Sequence, residues 1–291
     1  LPSYLDRVVP RILSGLLQHQ LKATFFLVGQ DAALEKNLDH FAAIAAAGHE
    51  IGNHSFHHDP WLHRYAEGDM ARELTMAEEY IEQATGQRPI GFRGPGYSLS
   101  QTTVAELNRR GYLYDASTLP TFIGPLARAY FFMSSAFTRE EAAYRSTIFG
   151  GVRDGFRSIQ PYRWDVGGEG LIEIPVTTMP FVRIPIHFSY LLYLSLYSRT
   201  VAQGYFRTAL ALCRTSGVEP SLLLHPLDFL GNDEADGVAF FPGMRLPLKH
   251  KLSMIEWALE ELKQTFQVVT MREHATKVAR QTAVPVLSPT I

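Results

Sequence analysis

The chain has 291 residues, 46% apolar and 19% charged, with a formal charge of −2. That apolar share excludes a disordered chain, and the lack of any basic run excludes a nucleic-acid partner. The single cysteine, Cys213, excludes an intrachain disulfide and a disulfide-built secreted scaffold.

The first half alternates helix and strand. YLDRVVPRILSGLLQHQL (4–21) spaces its apolar residues as a helix, and KATFFLVG (22–29) reads as a buried strand ended by Gly29. LEKNLDHFAAIAAAG (34–48) is helical with Gly48 as its stop, HEIGNH (49–54) is a short strand, and 68–86 is an amphipathic helix. PIGFRGPG (89–96) is a strand and turn, SQTTVAELNRRG (100–111) is a helix capped by Ser100, and YLYDAST (112–118) follows as a strand. This alternation argues an α/β fold with a parallel sheet, whose chemistry sits at the carboxyl ends of the strands.

The middle, about 119–219, is less regular and rich in apolar residues. GLIEIPVTTMPF (170–181) reads as a strand. IPIHFSYLLYLSLYS (184–198) is almost uncharged but shorter than the ~20 residues of a membrane span. It is either a core element or an interfacial segment, since its tyrosines and the following Arg199 suit a membrane surface. The pattern then resumes: a helix near 201–215 in which Cys213 packs as a small apolar residue, a strand at PSLLLHP, a helix from Leu248, a strand at QVVTM, and a loose tail over 281–291. Residues 1–280 are expected to form one domain.

Four of the eleven histidines fall within GHEIGNHSFHHDPW (48–61). His54 and His58 are four apart, a spacing that on a helical turn puts both imidazoles on one face, with Ser55 capping the turn. They read either as a metal pair or as two partly exposed histidines. A catalytic site typically takes three protein ligands and an open position, so a carboxylate must come from elsewhere; Asp59 is expected to point away. Arg93 in FRGPG is either a functional arginine at a strand end or a surface arginine beside a tight turn. Asp115 in YDAST could be an Asx-turn or helix cap. His225 in SLLLHPLD is a general acid or base, or a satisfied core histidine.

HSFHH, RGPG, DAST and LLLH, in that order, resemble four of the five motifs of the polysaccharide deacetylases, carbohydrate esterase family 4 or NodB homology domain. KATFFLVG and GHEIGNHS resemble the flanking strands, and the likeness runs over about 4–271. The resemblance implies a distorted (β/α) barrel of about seven repeats and a divalent metal, usually zinc, held by His54, His58 and an aspartate. It implies that Arg93 orients the catalytic carboxylate and that Gly96 or Tyr97 supplies an oxyanion N–H. Asp115 would tune the general acid, and His225 would be that acid. The family's first motif, an Asp-Asp pair carrying the third ligand and the general base, has no match. Family spacing places it just upstream of Leu1, together with the first barrel strand, and a segment preceding Leu1 is therefore expected.

The expected function is removal of an N-acyl group, acetyl or formyl, from a carbohydrate, with a lipid-linked sugar delivered at a membrane surface through 184–198 as one form of it. The alternatives are an amidohydrolase of a small cyclic amide and, should the Asp-Asp pair be truly lost, a catalytically dead binding relative. A cytoplasmic or membrane-associated location is favoured over a secreted one. Oligomeric state is not readable from the residues.

Overall fold

The computed structural model describes residues 4–124, 152–168, 170–234 and 243–289. Much of the irregular middle, 125–151, lies outside them. In chain order the elements are α1 (Leu5–Gln18), β1 (Thr24–Leu27), α2 (Gly29–Ala32), α3 (Leu38–Ala46), β2 (Glu50–Asn53), α4 (Glu67–Thr85), β3 (Gly91–Phe92), α5 (Gln101–Arg109) and β4 (Tyr114–Asp115). Then come β5 (Tyr162–Trp164), β6 (Leu171–Glu173), α6 (Phe188–Ser195), α7 (Arg199–Thr215), α8 (Leu248–Thr265), α9 (Met271–Ala279) and β7 (Val286–Leu287). The described residues form two compact units, one of 22–124, 152–176 and 269–289, the other of 4–21, 177–234 and 243–268.

The first unit is the α/β body. Its sheet runs β1-β2-β3-β4-β6-β5-β7, parallel from β1 through β4 to β6, with β5 antiparallel to β6 and parallel to β7. Among the described residues β1 and β7 are its outer strands, and no pairing closes it into a barrel. Asn53, Phe92, Asp115 and Glu173 are successive partners in one row across four strands. Both faces are covered, as parallel sheets require. Phe92, Tyr112, Tyr162 and Trp164 pack with Met70 and Leu74 of α4 and Val104 and Leu107 of α5. Tyr114, Ala116, Ile172 and Ile174 pack with Ala275 and Val278 of α9.

Local sequence explains the boundaries. Ser100 accepts the Thr103 N–H at 3.2 Å and starts α5. Gly86, at φ 69°, ends α4, and Gly48, at φ 76°, follows α3. The tail expected to be loose carries β7: Arg163 N–H donates to the Pro285 carbonyl (2.8 Å) and Asp165 N–H to that of Leu287 (2.9 Å). QVVTM, expected as a strand, is irregular up to Thr270. That residue caps α9 in a reciprocal pair with Glu273, which commits the segment to a helix start.

The second unit is mostly helical, and each helix buries an apolar stripe, for example Ala202, Phe206, Ala209, Leu210 and Cys213 on α7. The PSLLLHP strand shrinks to one bridge, Leu223 to His187, with Phe188 N–H donating to the Leu223 carbonyl at 3.0 Å. In the uncharged stretch, α6 buries Phe188, Leu191 and Leu192, while Tyr193 and Tyr197 are exposed. No helix of the described residues is long and apolar enough to cross a membrane.

Cutting the chain after Val284 removes both β7 bonds. At a net 0.5–1.5 kcal/mol per hydrogen bond, stability should fall by roughly 1–3 kcal/mol, read by urea titration.

Candidate functional site

Every site residue of the α/β body lies at or just past the row Asn53–Phe92–Asp115–Glu173, at the strands' carboxyl ends. The histidine turn is not helical, contrary to expectation. Ser55 and His58 are left-handed, at φ 63° and 61°. Such residues cost of order 1–3 kcal/mol each and persist only where surroundings hold them. Here buried polar groups do so. Asn53, bonded through Nδ2 to the Tyr112 hydroxyl (2.8 Å), accepts the Ser55 N–H (2.8 Å). Glu73 accepts the N–H groups of Phe56 (2.9 Å) and His57 (2.7 Å) on one oxygen and His57 Nδ1–H (2.7 Å) on the other. The expected Ser55 cap forms, its Oγ accepting the His58 N–H at 3.0 Å.

The turn still brings the pair together, with ring centroids of His54 and His58 4.8 Å apart. The Arg93 carbonyl takes a hydrogen bond from His54 Nδ1 at 2.6 Å. A carbonyl can only accept, so Nδ1 carries the proton and the ring would ligate through Nε2, the usual outer-shell arrangement of a metal histidine. Desolvation holds His58 below the ordinary imidazole range, against the pull of Asp31 and Asp59, and a neutral imidazole is the ligating form. Asp59 accepts the Tyr65 hydroxyl at 2.5 Å. The two histidines thus fit a metal, but no group of three His, Cys, Asp or Glu side chains among the described residues completes its ligand set.

Arg93 is not a surface arginine. Its Nε donates to the Ala116 carbonyl at 3.0 Å and its guanidinium lies 4.5 Å over the Phe26 ring. The turn after it depends on glycine. A Cβ on Gly94 would meet the Ser98 carbonyl oxygen at 2.0 Å, and Gly96 and Tyr97 are both left-handed, at φ 58° and 63°. Tyr97 N–H donates back to the Gly94 carbonyl at 3.1 Å. An N–H for a developing oxyanion would therefore come from Gly96, not Tyr97.

Asp115 is fully buried. Its Oδ1 accepts the Ser117 hydroxyl (2.5 Å), and the same hydroxyl accepts Gly94 N–H (2.7 Å), which ties the two loops together. Its Oδ2 lies beside Glu173, its ladder neighbour. Glu173 accepts Thr118 N–H (2.9 Å) and hydroxyl (2.6 Å) on one oxygen and Trp164 Nε1–H (3.0 Å) on the other. Burial first, then the charge of Asp115, pushes Glu173 well above the carboxylate range. Glu173 therefore keeps its proton and donates it to Asp115, as two adjacent buried carboxyls require.

His225 belongs to the helical unit. Its Nδ1 lies 3.3 Å from Ser189 Oγ, and its N–H donates to Asp228 at 2.8 Å. Sequence reasoning missed Glu73, Ser117, Glu173, Ser189 and Asp228. Glu173 was signalled as a single charge inside an apolar run, and the others carried no signal.

Residues 3–114 match the polysaccharide deacetylase family model. A peptidoglycan-N-acetylglucosamine deacetylase of Bacillus cereus is 40% identical over 86 residues, 30% of this chain and 30% of that protein. The Bacillus subtilis protein YlxY is 37% identical over 101 residues, 35% of this chain and 30% of that protein. The chain thus matches under a third of the length of either relative. A crystal structure from Mycobacterium smegmatis, provisionally named a polysaccharide deacetylase, covers 97% of this chain and 80% of its own at a TM-score of 0.63 and 23% identity. That likeness establishes the fold.

Glu173→Gln keeps a donor to Asp115 but cannot ionise. A carboxyl raised above its ordinary 4.5 by folding contributes stability below that value and loses it as pH rises toward the raised one. Relative to wild type, the variant should gain up to about 1.4 kcal/mol per pH unit above that point, measured by urea unfolding from pH 4 to 9. A constant difference across that range would show that Glu173 is ionised in the fold.

Proposed function

We propose, from the match of residues 3–114 to the polysaccharide deacetylase family model, that this protein hydrolyses the N-acetyl group of an amino sugar in a glycan. The observation that carries this reading is the His54–His58 pair, held on a strained turn with His54 Nδ1–H fixed by the Arg93 carbonyl. His54 and His58 would hold a divalent ion, zinc by its affinity for imidazole. When bound, that ion polarises the amide carbonyl and lowers the pKa of water. Among the described residues no third His, Cys, Asp or Glu side chain joins the pair.

The chain's own residues account for the rest. Water gives one proton to a general base, the role that the Asp-Asp motif of the family would fill, as its oxygen bonds the amide carbon, and the Gly96 N–H receives the developing oxyanion, a donor worth about 2.7–4 kcal/mol in comparable sites. His225 gives its proton to the departing nitrogen, the C–N bond breaks, and acetate and a free amine result. Arg93 and Asp115, the latter through Ser117, fix the loops that carry His54 and Gly96. A membrane-bound substrate would be met by the exposed Phe181, Ile184, Tyr193 and Tyr197, since Leu191 and Leu192 face the core.

His54→Ala and His58→Ala should each lose bound metal by elemental analysis and lower acetate release from N-acetylglucosamine oligomers at least about 100-fold. His225→Ala should keep the metal and lower kcat about 10²–10⁴-fold, the usual worth of general acid–base catalysis. Metal loss in the His225 variant would instead make that residue a ligand.

A further inference from the structure

Behind His225 lies a buried polar chain that the family motifs do not contain. The bridge between His187 and Leu223 sets residues 223–225 beside the start of α6 and brings Ser189 opposite the His225 ring. Ser189 is buried, and its Oγ lies 3.3 Å from His225 Nδ1 and 3.1 and 3.4 Å from the two oxygens of Asp228. A hydroxyl has one proton to give. With Asp228 ionised that proton goes to the carboxylate, and the hydroxyl accepts His225 Nδ1–H. The ring is then held with Nε2 as the nitrogen that gains or releases the mobile proton.

Asp228 is fully buried, and its other described partner is the His225 N–H. From α8, the buried Lys251 faces it, Nζ bonded to the Leu227 carbonyl at 2.9 Å and lying 3.1 Å from Met244 Sδ. Glu234 acts on Lys251 in turn and pairs with Arg11 of α1, which also donates to the Phe229 carbonyl at 2.9 Å. A buried carboxylate with a buried ammonium beside it and a hydroxyl aimed at an imidazole exceeds what capping the 226–229 turn needs.

We propose that Asp228, acting through the Ser189 hydroxyl and supported by Lys251, is the positioning residue that orients His225 and stabilises its imidazolium. This rests on the reading of His225 as the general acid. It gives this chain a source for that function other than Asp115, whose carboxylate is engaged by Ser117 and Glu173. Burial raises Asp228 to about 7, opposed by its hydrogen bonds and by Lys251. Its proton affinity thus lies in the ordinary histidine range, as suits proton sharing across one hydroxyl.

The test is the titration of the His225 ring by two-dimensional ¹H–¹⁵N NMR on the full chain, beside the pH profile of kcat. In Asp228→Asn and in Ser189→Ala the imidazolium should lose its proton about one pH unit lower than in wild type, the usual worth of a nearby counter-charge. The alkaline limb of kcat should move with it, while unfolding temperature reports on the cap alone. An unmoved His225 titration in both folded variants would overturn the proposal. A moved titration with an unmoved kcat profile would uphold the relay and reject His225 as the general acid. Should Asp228→Asn fail to fold, Ser189→Ala decides alone, because it leaves the bond from His225 N–H to Asp228 in place.

Discussion

The α/β body depends on one register. Asn53, Phe92, Asp115 and Glu173 stand side by side across β2, β3, β4 and β6. From Asn53 the chain turns into the histidines, from Phe92 into Arg93 and its glycine turn, and from Asp115 into Ser117. A slip of one residue in any pairing would send each of these side chains to the opposite face of the sheet. The register is held by packing on both faces and by buried polar bonds that cross strands, among them Asn53 to the Tyr112 hydroxyl, Tyr114 to Glu50 and Trp164 to Glu173.

On that register the loops are tied to one another rather than to their own strands. The Arg93 carbonyl holds His54, Arg93 Nε holds the Ala116 carbonyl, and Ser117 bonds both Gly94 and Asp115. Apart from the Ser117–Asp115 bond, which stays at the end of β4, each joins the end of one strand to the end of its neighbour. The strain at Ser55 and His58 persists because Asn53, the Ser55 hydroxyl and Glu73 of α4 together hold the turn. The bonds between loops also explain the economy of the motifs, since Arg93 serves through its carbonyl and guanidinium together.

The parallel sheet and its helices were legible because they follow period and punctuation. The apolar stripe of α4, the glycine at its end and the serine before α5 are local signals. The shape of the histidine turn was not legible, because spacing alone cannot separate a helical turn from a strained loop held by Glu73, seventeen residues beyond Phe56 in the chain. Glu173 was visible only as a charge in an apolar run, and Glu73 only as one of several charges on an amphipathic helix. Their partners lie on other strands and loops, so the reason for burying them exists only in the fold. The tail strand failed for a similar cause: β7 has two residues, both exposed, and is specified by the edge of β5 rather than by its own composition.

The costs of these arrangements point the same way. Burial raises Asp228 from 3.8 to about 7, so the folded state binds more protons than the unfolded chain across that interval. Stability is therefore lost as pH rises through it. Lys251 is lowered from 10.5 to about 8, so its penalty is complete below 8 and relieved only above it. Near neutral pH both groups weigh against folding at once, and Glu173 in the α/β body adds a third cost of the same sign as Asp228. An apolar residue at any of these positions would avoid the penalty. Sequences otherwise consistent with their fold break local rules chiefly where function demands it. Glu173 lies beside Asp115, and Asp228, with Lys251 facing it, lies beside the Ser189 hydroxyl and the His225 N–H. Their expense is thus independent physical support for placing chemistry at these strand ends and in the loop that carries His225.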